Sequence, residues 1–175
     1  MYKKTKLQIL SLVMAAILLM GMNPINVYAA SPNTVENVEM IILEGGMENP
    51  DFYEKGSPNK NSISRDSSYL IGCDISSGFM SYGLHIQLET STTQVASKLG
   101  VKDVKVQEKN GIFWNTITSS DGNYVTNDDW FIGALDCYSA VDGRTYRVKC
   151  THYAYIGGNY YYYDHTTNAF TYVKP

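Results

Sequence analysis

Cys150 and His152 stand two residues apart in the run YRVKCTH that begins at Tyr146. Side chains two apart on an extended strand share a face. A thiol and an imidazole would therefore lie together, the pairing that activates a cysteine nucleophile. The same alternation supports a simpler reading. Tyr146, Val148, Cys150 and His152 share one face opposite Arg147, Lys149 and Thr151, and Cys150 is then a core or disulfide cysteine. The three histidines, His85, His152 and His165, are scattered, and His85 falls on the polar face of its own run. The sequence has no nucleophile elbow, zinc-ligand spacing or phosphate-binding glycine loop. It reads as non-catalytic and without a cofactor.

Two further groups of residues suggest binding. Asp121, Asn123, Asp128 and Asp129 put hard oxygen ligands into one polar stretch, a weak calcium candidate. Their spacing does not fit an EF-hand, and Asp, Asn and Gly are also ordinary turn residues. Tyrosine is the compositional oddity. The chain has 15, and Tyr160, Tyr161, Tyr162 and Tyr163 are consecutive, with Tyr153 and Tyr155 just upstream. On neighbouring strands these rings can form a flat platform for sugar rings or a protein partner. They can equally form a ladder of cross-strand aromatic pairs.

The elements that must position these groups are short strands. From Ile63 onward, alternating runs rich in Val, Ile, Thr and Tyr are separated by turn signals. A first strand carries Tyr69, Ile71, Cys73 and Ile75 on one face, and Ser76, Ser77 and Gly78 turn it. Met80, Tyr82, Leu84, Ile86 and Leu88 alternate in the next. Thr93 to Leu99 predicts one or two helical turns capped by Gly100. Val104 and Val106 mark a third strand, and Asn110 with Gly111 makes a hairpin turn into Ile112, Trp114, Thr116 and Thr118. A polar loop from Ser119 to Asp129 precedes a strand from Trp130 to Ser139. Asp142 with Gly143 and then Gly157 with Gly158 mark the last turns, before Ala169 to Val173. About seven strands in one segment describe an all-β sandwich. Of the three cysteines, Cys73, Cys137 and Cys150, the pair close in sequence on consecutive strands, Cys137 and Cys150, is the disulfide candidate.

The N-terminus reads as a secretory signal peptide over residues 1–29. Lys3, Lys4 and Lys6 precede an apolar run from Leu7 to Met22, and Val27, Tyr28 and Ala29 put small or tolerated residues at the cleavage positions. Its removal takes the net charge from −3 to −6 and leaves no second long apolar stretch. The expected product is secreted, with no membrane span, and its charge argues against nucleic acid and anionic membranes as partners. Residues 30–62, rich in Gly, Pro, Asn and acidic side chains, predict a flexible acidic linker. Residues 63–175 form the predicted domain.

The segment VDGRTYRVKCTHYA, Val141 to Ala154, resembles the corner between two strands in immunoglobulin-like and fibronectin type III domains. The resemblance places Tyr146 as a corner tyrosine whose hydroxyl bonds to upstream backbone. Together with ISRDSSYL from Ile63 and KLGVKDVKVQEKNGIFW from Lys98, it is also similar to a family of small exported Gram-positive-type proteins with an uncharacterised domain. The resemblance implies export and an immunoglobulin-like sandwich, and Tyr146 and Trp114 are read as structural residues. It implies no activity, and Cys73, Cys137, Cys150 and the tyrosine run depart from its pattern. The expected function is an extracellular binding module for a protein or cell-surface glycan. Glycan binding through the tyrosine-rich sheet is the alternative, and a secreted hydrolase a more distant one.

Overall fold

The computed structural model describes residues 34–56 and 69–175. The signal segment, and the stretch from Ser57 to Ser68 in which the domain was expected to begin, lie outside the described residues. Eleven strands follow in order: β1 (Glu36–Asn37), β2 (Ile41–Ile42), β3 (Phe52–Gly56), β4 (Leu70–Met80), β5 (Gly83–Ala96), β6 (Lys98–Asn110), β7 (Phe113–Val125), β8 (Asp128–Cys137), β9 (Thr145–Ile156), β10 (Asn159–Thr166) and β11 (Phe170–Thr171). Sheet I runs β1-β7-β6-β9-β10, with β11 also paired to β9, and sheet II runs β2-β8-β5-β4-β3. Seven long strands, β4 to β10, build an all-β sandwich, as the sequence predicts.

The two-residue period decides which side chains meet between the sheets. Leu84, Ile86 and Leu88 of β5 face Val101, Val104 and Val106 of β6 and Val148 of β9 in one core, and all seven are at most 1% exposed. Burying each large aliphatic side chain contributes about 1.5–3 kcal/mol. Tyr146 is fully buried at the start of β9. The Val141 N–H donates to its hydroxyl at 2.8 Å, and the hydroxyl lies 3.2 Å from Glu108 Oε2 and 3.3 Å from the Val141 carbonyl. The hydroxyl thus bonds to backbone five residues upstream.

Several expectations are corrected. No helix forms at Thr93 to Leu99. β5 continues to Ala96, and Ser97 carries the chain into sheet I, its N–H donating to the Tyr155 carbonyl at 2.8 Å. Buried Ala96 and Leu99 flank this crossing, and the β-branched Thr residues before it suit a strand. Gly100 is not a helix cap. It lies within β6, where an added Cβ would come 2.2 Å from the Asn123 carbonyl oxygen. The polar loop from Ser119 to Asp129 is instead the paired end of β7, and only Thr126 and Asn127 separate it from β8. Ser76 to Gly78 do not turn, because β4 runs on to Met80. An irregularity between Leu70 and Gly72 exposes Ile71 and buries Leu70, since one extra residue moves side chains to the other face.

The expected flexible linker is, over residues 34–56, part of both sheets. β1 pairs with β7, β2 with β8 and β3 with β4. Backbone pairing and capping hold it where apolar content is low. Met40 is 2% exposed, Asp51 accepts from the Phe79 N–H and Glu54 from the Asn168 N–H.

The Cys137–Cys150 bridge is absent, and all three cysteines are free and buried. Consecutive strands β8 and β9 belong to opposite sheets, so the two thiols meet different neighbours. Thr118 Oγ1 donates to Cys137 Sγ at 3.1 Å, whereas Cys150 Sγ lies 3.3 Å from His152 Nε2.

Candidate functional site

The outer face of sheet I gathers the aromatic rings. In register, Tyr160 opposes Tyr155 and Tyr162 opposes Tyr153 across β10 and β9. Gly100 of β6 opposes Tyr153 on one side and Tyr124 of β7 on the other. The rings touch: Tyr155 and Tyr160 are 4.8 Å apart between centroids, Tyr160 and Tyr162 5.6 Å, and Tyr153 and Tyr160 5.9 Å. Gly100 leaves no side chain between the Tyr153 and Tyr124 positions.

Lysines border this platform. Lys98 Nζ stands 4.6 Å above the Tyr124 ring and Lys102 Nζ 5.5 Å above Tyr160, distances at which the ring quadrupole attracts a cation. The adjacent Tyr160 hydroxyl raises the pKa of Lys102. That hydroxyl is itself buried and has no partner in hydrogen-bonding geometry among the described residues. The Lys102–Tyr160 contact is therefore electrostatic rather than a formed hydrogen bond.

The sequence-predicted tyrosines do not all belong here. Tyr161 and Tyr163 face inward and pack against the core, Tyr161 edge-on to Tyr69 at 4.9 Å. The period of two sends alternate residues of one run to opposite faces. Tyr124, Lys98 and Lys102 were missed, because only the β6–β7 and β6–β9 registers bring them beside the tyrosine run. Trp114 is no core anchor. It lies half-buried on this same outer face, with the Arg147 guanidinium 4.3 Å above its ring.

The cysteine–histidine pair is brought together in space, in a buried environment. Thr90 Oγ1 lies 3.3 Å from the Gly100 carbonyl and 2.8 Å from His152 Nδ1, and Cys150 Sγ is 3.3 Å from His152 Nε2. A consistent assignment has Thr90 donating to Gly100, His152 Nδ1–H donating to Thr90, and the Cys150 thiol donating to Nε2. Burial raises the Cys150 thiol well above its usual range. Burial, with His165 nearby, lowers His152 to about 3. A nucleophile needs the thiolate and a basic imidazole, and this environment disfavours both. His165, on the neighbouring strand β10, has its ring 5.6 Å from that of His152, and its Nε2 is 3.3 Å from Glu54 Oε1.

The calcium candidates do not converge. Asp121 and Asn123 lie on β7, and Asp128 and Asp129 open β8. Asn123 Nδ2 donates to the Met40 carbonyl, and Asp128 Oδ1 accepts from the Asp129 and Trp130 N–H groups. Among the described residues no group of three or more His, Cys, Asp or Glu is placed to hold a metal ion.

The outer face of sheet II is acidic by contrast. Asp74 and Glu89 oppose each other directly across β4 and β5 and line a shallow pocket with Ser76, Gln87, Tyr53 and Ile132. Tyr53 donates to Asp74 Oδ2 at 2.6 Å, and that bond pushes the tyrosine pKa up to about 12. Trp130 Nε1 donates to Glu89 at 2.8 Å. Further along, His85 Nδ1 is 2.8 Å from Asp136 Oδ1, which places His85 on the outward face, as its position in the sequence indicates.

No family model matches the chain, and comparisons with curated proteins and with solved structures returned no match.

Proposed function

We propose that this chain is an exported, non-catalytic binding module of immunoglobulin- and fibronectin-III-like build, and that its tyrosine face binds an extracellular glycan. The build is supported by the facing strand orders β8-β5-β4 and β7-β6-β9-β10, and by the tyrosine that bonds back to Val141 at the start of β9. Export is supported by the signal-like residues 1–29.

One observation carries the binding role. The run from Tyr160 to Tyr163 divides its labour: Tyr161 and Tyr163 serve the core, while the half-buried Tyr160 and Tyr162 join the exposed Tyr155 and Tyr124 on the outer face, with Tyr153 buried among them. Flat rings carrying hydroxyls can stack on the apolar faces of sugars and bond their hydroxyl groups.

Affinity electrophoresis of the mature protein through gels containing single polysaccharides tests the proposal. Retardation by at least one polysaccharide, lost in the Tyr160→Ser/Tyr162→Ser variant with its β-sheet circular dichroism intact, is the expected result. A variant that loses stability yet is retarded as before would show that the rings serve only as a strand ladder.

A further inference from the structure

Sheet I carries a second feature on the same outer face. Lys98, Lys102, Lys105 and Lys109 of β6, with Arg147 and Lys149 of β9, all project from it, six of the chain's 14 basic residues. Among the described residues none of the six reaches a carboxylate within 4.0 Å; the ion pairs found there involve only His85 and His165. Lys105 and Lys149 oppose each other directly in register. Like charges so placed are destabilising, and they stand together in a chain whose net charge is −3.

The aromatic contacts do not discharge these cations. Lys98 over Tyr124, Lys102 over Tyr160 and Arg147 over Trp114 are all on this face. A ring quadrupole orients a cation and leaves its formal charge in place. The result is a positive stripe interleaved with rings. From Lys98 to Lys109 it follows one strand for about 36 Å at the usual rise per residue. Two carboxylates offset it in part: Asp103, next to Lys102 on β6, whose charge helps to raise the Lys102 pKa, and Asp164 at the edge strand, which accepts from Thr151 at 2.6 Å.

We propose that the ligand of this face is an acidic polysaccharide, laid along β6 with its anionic groups against the six cations and its sugar rings on the tyrosines and Trp114. The proposal rests on the glycan reading of the tyrosine face and adds the charge of the ligand. Length favours a polymer, because the stripe is longer than a small ligand and lies on an open sheet. Charge complementarity supplies the sign. Tyrosine and Trp114 rings interleaved with the cations along the sheet favour sugars, and the exposed apolar Ile112 and Phe113 are confined to the β6–β7 turn beyond Lys109, so the vesicle probe tests a lipid surface.

The test is the same affinity electrophoresis with the full mature chain, run at low and high salt. The probes are polygalacturonate, a sulfated polysaccharide and a phosphodiester-linked polysaccharide as acidic polymers, dextran and mannan as neutral ones, a single-stranded oligonucleotide, and vesicles of anionic phospholipid. Binding to an acidic polysaccharide is expected, weakening roughly tenfold or more between 50 and 500 mM NaCl as screening grows. The Lys105→Gln/Lys149→Gln variant should bind about fivefold or more weakly and with a shallower salt dependence. Its urea midpoint should be unchanged or higher, since a like-charge pair has gone. Equal binding to neutral and acidic polysaccharides, insensitive to salt and to that variant, would overturn the acidic ligand and leave the glycan reading standing. Binding only to the oligonucleotide or only to vesicles, or to none of the probes, would overturn both.

Discussion

Tyr146 and His152 show how single side chains fix what this sandwich can do. The Tyr146 hydroxyl receives the Val141 N–H deep beside the core. Tyr146→Phe keeps the ring and leaves that donor unpaired, so a loss of about 1–2 kcal/mol in urea unfolding is expected. An unchanged midpoint would mean that the corner bond contributes nothing. His152 is held neutral by burial, its pKa lowered to about 3, below the usual value of 6.5. Above pH 6.5 both folded and unfolded chains carry it neutral. Between pH 6.5 and 3 the unfolded chain binds a proton that the folded chain refuses, so stability falls as pH falls, by about 1.4 kcal/mol per pH unit. The stability advantage of the wild type over His152→Gln should therefore narrow steadily below pH 6.5. A difference constant with pH would place the imidazole in a wetter site. The same burial disfavours the reactive forms of Cys150 and His152, although the two lie at bonding distance.

At the scale of elements, the close approach of β6 and β7 is the most demanding contact. An added Cβ at Gly100 would stand 2.2 Å from the Asn123 carbonyl oxygen and 2.7 Å from Tyr124 Cα, both backbone atoms that cannot swing away. Gly100→Ala should cost about 1–3 kcal/mol, as overpacking does, and should disturb the Tyr124 side of the tyrosine platform. A variant as stable as the wild type would mean that the β6–β7 pair has slack. Position 100 also shows why the sequence was readable only in part. A glycine after Thr93 to Leu99 fits a helix cap by local pattern, whereas its real constraint is a strand 23 residues away in sequence, at Asn123. Strands with their own alternation, such as β5 and β9, were legible because period two is a local property. The tight Thr126–Asn127 turn was not, because Asn127 adopts a positive φ of 55° and the polar residues before it are strand residues on a half-solvated face. The tyrosines of the site were legible as residues. Which of them face outward became clear from the Tyr160–Tyr155 and Tyr162–Tyr153 pairing. The flanking lysines needed the register of a third strand.

Over the whole molecule, composition hides two asymmetries. The first is charge. A net charge of −3 argues against polyanionic partners only when charge is spread evenly. Here the Lys105–Lys149 pair lies on the outer face of one sheet and the Asp74–Glu89 pair on the outer face of the other. The second is cysteine chemistry. Three thiols in a chain with a signal-like leader suggest one bridge and one free thiol by arithmetic, yet all three are buried and unpaired. Burial raises the pKa of Cys73, with Asp74 adding to the effect, and burial likewise raises Cys137 and Cys150. Oxidation and exchange proceed through the thiolate and need access. The fold thus protects its thiols on both counts, and the sandwich relies on packing rather than on a cross-link. The native protein should leave Ellman's reagent nearly unreacted at pH 8, and denaturation in guanidinium should release three thiols at once, as the count of free cysteines requires. Its thermal midpoint should be the same with and without dithiothreitol. Only one thiol released on denaturation, together with a midpoint that falls in reductant, would mean that a disulfide forms and that two of these strands lie differently from the arrangement described.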